Sequence, residues 1–106
     1  MLLGILNTSI VTAYGSYEYK PVSLEEAQKL VQEFEILSAV GHESTSQILS
    51  ELLQAEVPVN RIQFAQEVGQ IAIVFKLKGR PPEGKILSRE EIDAIGYDFG
   101  LLSRKS

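Results

Sequence analysis

Residues 38–53 read SAVGHESTSQILSELL and hold the only histidine of the chain, His42. Imidazole is the side chain that most readily takes or gives a proton near neutral pH. Gly41 precedes it, and the hydroxyls of Ser44, Thr45 and Ser46 follow. A strand that turns into a helix at this point presents free backbone N–H groups and the positive end of the helix dipole. His42 is therefore expected beside a cradle for an anion, with Gly41 in a backbone conformation closed to other residues. On spacing alone this makes the stretch a candidate phosphate site. The same spacing also describes an ordinary helix start, with His42 an exposed turn residue and the hydroxyls as caps.

Two further stretches carry candidate residues. In ILNTSI a strand ends in Asn7, Thr8 and Ser9, three short hydrogen-bonding side chains in a row. Ligands collect at strand ends in sheets flanked by helices, although a plain loop has the same composition. In KLKGRPPEGK, residues 76–85, Lys78, Gly79, Arg80, Glu83 and Lys85 surround two prolines. Proline stiffening reduces the entropy lost when a guanidinium engages phosphate. Glu83 can orient Arg80 or bind a ribose hydroxyl, and a solvated basic loop is the alternative. No Walker loop, dinucleotide fingerprint, paired-carboxylate motif or Ser-His-Asp order is present.

Composition narrows the field. Without cysteine there is no disulfide, thiolate metal site or cysteine nucleophile, and one histidine cannot build a conventional zinc site within one chain. No cofactor is expected, and the setting is read as reducing cytoplasm. The net charge of -4 argues against affinity for duplex nucleic acid. Between Lys76 and Arg89, however, five basic residues face one acid, Glu83, so this stretch is locally cationic and suits a small anionic partner. MLLGIL is too short to span a membrane and lacks a basic leader, so it is read as a buried first strand and no membrane partner is expected.

These residues need a scaffold, and 106 residues are enough for one domain. Three serines are followed three residues later by Glu or Gln: Ser23 with Glu26, Ser44 with Gln47, Ser88 with Glu91. Each is a capping-box candidate. Apolar spacing predicts helices over about 24–33, with Leu24, Ala27, Leu30, Val31 and Phe34 on one face, and about 45–54, plus a short third helix with Ile92 and Ile95 inward and Gly96 as its stop. Strands are predicted over 2–6, 35–40, 61–64, 70–77 and 97–102, with EVGQ, residues 67–70, as a turn between the third and fourth. The fold class is α/β, a single domain over residues 1–106 with a mixed central sheet of about five strands flanked by helices.

Taken together, LNTS, GHEST, NRIQF and GRPPEGKILSREEI resemble the type III CRISPR ring nucleases of viruses and mobile elements, which act as anti-CRISPR proteins. The resemblance runs nearly end to end. It implies a homodimer that binds cyclic tetra-adenylate, cuts it to linear di-adenylate without a metal, and so silences type III CRISPR signalling, in the host cytoplasm if the chain is virus-encoded. It further implies that His42 is the general acid, that Arg80 and Glu83 belong to the catalytic site and that Ser9 contacts the ligand. Around residues 7–9 the chain is one residue shorter than the archaeal-virus pattern, and its loop has PPE. Two other readings fit the same residues: a module that sequesters a cyclic nucleotide without cutting it, and a regulatory protein in which GHEST is only a cap.

Overall fold

The structure is a computed structural model and describes residues 2–7, 13–62, 64–79 and 88–106. Two of the three expected capping boxes form. The Ser23 hydroxyl accepts from the Glu26 N–H at 3.1 Å while the Glu26 carboxylate accepts from the Ser23 N–H at 3.3 Å, opening α1 (Leu24–Glu33). Ser88 and Glu91 do the same at 3.2 and 3.3 Å for α3 (Arg89–Ile95), which stops at Gly96 with φ +86°. The third box does not form. α2 (Glu43–Leu53) starts two residues earlier than expected, because the Ser46 N–H already donates to the His42 carbonyl at 3.0 Å. Ser44 thus lies inside the first turn, and His42 is the N-cap residue, with an extended backbone and a side chain that caps nothing.

Five strands form one sheet: β1 (Leu3–Leu6), β2 (Tyr17–Val22), β3 (Ile36–Ser38), β4 (Ile71–Leu77) and β5 (Tyr97–Arg104), in the order β2-β5-β4-β1-β3. β1 runs parallel to both β3 and β4, and β5 runs antiparallel to β4 and β2. The number of strands is as expected, but one member differs. Residues 61, 62 and 64 are not strand; they belong to a segment that leaves the end of α2 and crosses the edge of β3. In their place YEYKPV pairs with β5. This edge strand escaped the sequence reading because its central residues are exposed and include Glu18, Lys20 and Pro21. β3 is shorter than 35–40 because the Val40 carbonyl is taken by the Asn60 N–H of the crossing segment. Residues 67–70 do form a turn, with the Gln70 N–H donating to the Glu67 carbonyl at 3.0 Å, but the turn follows the crossing segment rather than a strand.

The helices all lie on one face. Leu3, Ile5, Ile73, Phe75 and Phe99 of the sheet are buried there against Ala27, Ile48, Leu49, Leu52, Leu53 and Ile92. Phe34, expected in the buried stripe of α1, is its C-cap and is 38% exposed, since the chain has already turned toward β3. The opposite face carries Leu6, Ala72, Val74 and Leu102, with Phe64 packed on them. Among the described residues no helix is long and apolar enough to cross a membrane.

Phe64 explains a glycine. A Cβ added at Gly4, in the middle of β1, would sit 2.7 Å from the tip of the Phe64 ring and 3.1 Å from the Ala72 methyl. Because that ring is 2% exposed, it cannot swing into solvent to make room. Gly4→Ala is expected to lower the free energy of unfolding by about 1–3 kcal/mol, the range for an overpacked core. Phe64→Leu added to it is expected to recover part of the loss in urea denaturation, which an effect independent of Phe64 would not allow.

Candidate functional site

Because β1 and β3 are parallel neighbours, their C-terminal ends open on the same side of the molecule. Asn7 follows the first and Ala39–His42 follow the second. Asn7, Ala39, Gly41 and His42, together with Arg61 and Ile62, line an open concavity of about 650 Å³. His42 is exposed here at the N-terminus of the 11-residue α2, and its imidazole has no hydrogen-bond partner among the described residues. The helix end contributes unpaired N–H groups and positive potential to the same spot.

Gly41 departs from expectation. Its φ is not positive, and a Cβ there would meet only the Arg61 Cγ, at 3.6 Å. The backbone therefore does not require glycine at this position. What it has is a partner for its carbonyl: Arg61 Nε donates to it at 3.0 Å.

Arg61 was missed by the sequence reading, which placed it in a strand; the signal available was a lone cation in the otherwise uncharged run NRIQF. It reaches the site because residues 57–61 are fastened to α2 and β3 by side chains. Ser46 of α2 donates to the Val57 carbonyl, and Ser50 both accepts from the Val57 N–H at 2.9 Å and donates to the Ser46 carbonyl at 2.8 Å. Ser38 of β3 donates to the Pro58 carbonyl at 2.6 Å. The Asn60 side-chain amide donates to the Ser38 carbonyl at 2.8 Å, and its backbone N–H to Val40 at 2.8 Å. The hydroxyl at 46, read as part of the helix start, instead pins the segment that carries Arg61.

The remaining candidates divide. Ser44 and Thr45 are half-buried on the first turn of α2 and do not line the concavity. Lys78 and Gly79 follow β4, whose C-terminal end neighbours that of β1. Both are exposed at the same end of the sheet, but they also stand outside the lining of the concavity. Lys78 Nζ lies 3.8 Å from the Asp98 carboxylate, a solvated pair of small energetic weight. Thr8, Ser9, Arg80, Glu83 and Lys85 lie outside the described residues. The concavity thus combines an unengaged imidazole, a cation, an amide side chain, a helix N-terminus and two apolar walls, Ala39 and Ile62. Such a site can take an anion together with an apolar group attached to it.

The two serines near its rim have separable roles. Ser46→Ala would strip the buried Val57 carbonyl of its main donor and is expected to lower the free energy of unfolding by about 1–3 kcal/mol. Ser44→Ala, which breaks no capping box, is expected to stay within about 0.5 kcal/mol. Chemical denaturation of the two variants checks this, and equal losses would restore Ser44 as a cap.

Comparison with known proteins agrees with this architecture. A family model described as STIV B116-like matches residues 3–99. Uncharacterized protein 26 of Sulfolobus islandicus filamentous virus is 36% identical over 105 residues, covering 94% of this chain and 89% of its own. Uncharacterized protein ORF117 of Acidianus two-tailed virus is 38% identical over 110 residues, with 98% and 94% covered. Uncharacterized protein YddF of Bacillus subtilis is 33% identical over 106 residues, with 98% of each chain covered. Among solved structures, B116 of Sulfolobus turreted icosahedral virus superposes with a TM-score of 0.82 at 20% identity, over 98% of this chain and all of that one. That likeness gives the same single α/β domain.

Proposed function

The chain belongs to the STIV B116-like family, and from that premise we propose that it is a metal-independent ring nuclease that cuts cyclic tetra-adenylate to linear di-adenylate and thereby silences type III CRISPR effectors. The observation that carries the reading is the unengaged imidazole of His42 beside the Arg61 guanidinium, at a helix N-terminus and at the C-terminal ends of two parallel strands. The resemblance of LNTS, GHEST and the basic loop to ring nucleases supports the identity of the ligand, and the relatives from archaeal viruses support the setting.

The chemistry requires little of the protein. The ribose 2'-oxygen attacks the adjacent phosphorus in line, its proton passing to water. The bond from phosphorus to the 5'-oxygen breaks, and the imidazolium of His42 donates a proton to that departing oxygen. One product end is a 2',3'-cyclic phosphate and the other a free 5'-hydroxyl. Arg61, and Arg80 from the basic loop, stabilise the charge that gathers on the phosphoryl oxygens. The resemblance adds Glu83 to the catalytic set and Ser9 to the ligand contacts. Neither a protein nucleophile nor a metal takes part in these steps.

The dimension of the site supports a dimer. The described residues line a concavity of about 650 Å³, within the range that holds one drug-sized ligand, and a four-nucleotide ring shared between two chains is in keeping with that size. Two copies about a two-fold axis give two His42 side chains facing opposite phosphates, and two cuts then release di-adenylate. The basic loops of both copies bring locally the cationic charge that a chain of net charge -4 lacks overall.

Purified protein incubated with the ring is expected to yield di-adenylate, identified by mass. His42→Ala is expected to slow cutting by about 10² to 10⁴, the contribution of a positioned general acid, while still binding the ring. Binding without turnover by the unaltered chain would leave a sequestering module. Turnover of His42→Ala at the original rate would remove His42 from the mechanism.

A further inference from the structure

The edge of the sheet beside the concavity is closed by two adjacent residues, Asn60 and Arg61. β3 is the last strand of the sheet, so its outward carbonyls have no strand from which to accept. Asn60 serves two of them: its N–H donates to Val40 and its Nδ2 to Ser38, each at 2.8 Å. The next residue, Arg61, serves a third through Nε, which lies 3.0 Å from the Gly41 carbonyl. Two adjacent residues therefore hold the three carbonyls of 38, 40 and 41 that lead directly into His42.

Their shares in that hold are unequal. Arg61 is exposed and long, and a single hydrogen bond does not offset the rotamer freedom of such a side chain. Asn60 is half-buried and bound at two points to a strand packed in the sheet. Apart from the bond through Nε, the guanidinium has no partner among the described residues, which leaves both terminal nitrogens for a ligand.

We propose that Asn60 is a positioning residue that sets the Arg61 guanidinium against the His42 imidazole, so that cation and proton donor address the same phosphodiester; this rests on the ring-nuclease reading. The amide is suited to the task in two ways. A serine would fall short of the Ser38 carbonyl, and a carboxylate would oppose it with a second acceptor.

The test compares the unaltered chain with Asn60→Asp and Asn60→Ser, the second guarding against a fold lost to the new charge. In nitrogen-15 NMR spectra the Arg61 Nε–H signal is expected to shift and exchange faster in both variants. The Gly41 and His42 amides are expected to move with it, while amides of the 67–70 turn stay in place. Single-turnover cutting of cyclic tetra-adenylate is expected to slow about tenfold, equivalent to one hydrogen bond, with ring affinity nearly unchanged. Added to Arg61→Met, Asn60→Ser is expected to produce no further loss, as required if Asn60 acts through Arg61. An unmoved Arg61 signal in both variants, or losses that add, would overturn the proposal. An unaltered chain that cuts no ring overturns the ring-nuclease reading instead, and the NMR comparison then decides the structural role of Asn60 alone.

Discussion

A sheet edge presents backbone carbonyls that must find donors, and in this protein the way β3 meets that requirement determines the rest of the candidate site. The donors come from Asn60, in the segment 57–61 that leaves α2 and passes along the open edge. Ser46 and Ser50 of α2 hold the start of that passage through Val57. Asn60 and Arg61 hold its end. Each contact is modest in free energy, about 1 kcal/mol for an ordinary hydrogen bond. Their combined geometric effect is large, because they bring a cation from a segment without regular structure to the carbonyl immediately before the single histidine.

The two faces of the sheet divide the work. One takes all three helices and most of the large apolar side chains. The other leaves Gly4 bare so that Phe64 can anchor the far end of the crossing segment. The helices thus pack on one face, and the candidate site opens at the C-terminal ends of β1 and β3. The chain is acidic as a whole, yet among the described residues lining the concavity the only charged side chain is that of Arg61.

How much of this was legible depended on whether the determining contacts were local. The boxes at Ser23 and Ser88 form as read, since a serine and a glutamate three residues on need only each other. At Ser44 the same pattern is silent, because the preceding strand delivers the chain already turned and the Ser46 N–H closes the helix onto His42. The β1 and β4 strands were legible from their apolar runs. β2 was not, because an edge strand exposed on both faces has no apolar alternation to display. The segment carrying Arg61 contains Ile62 and Phe64 and so read as a strand, yet its hydrogen bonds go to side chains and carbonyls some twenty residues away, which no local pattern records. His42 could be singled out from its neighbours; the cation beside it had only its isolation in NRIQF to mark it.

In the proposed reaction the ribose of the ligand supplies the nucleophile and His42 the proton, with no metal taking part. The most direct measurement compares two cyclic tetra-adenylate rings in excess chelator, one all-ribose and one with 2'-deoxyadenosine at the cleaved positions. The all-ribose ring is expected to be cut to di-adenylate ending in a 2',3'-cyclic phosphate, and the deoxy ring to bind and stay intact. Cutting of the deoxy ring, or an activity lost to the chelator and restored by magnesium or manganese, would contradict the proposed reaction.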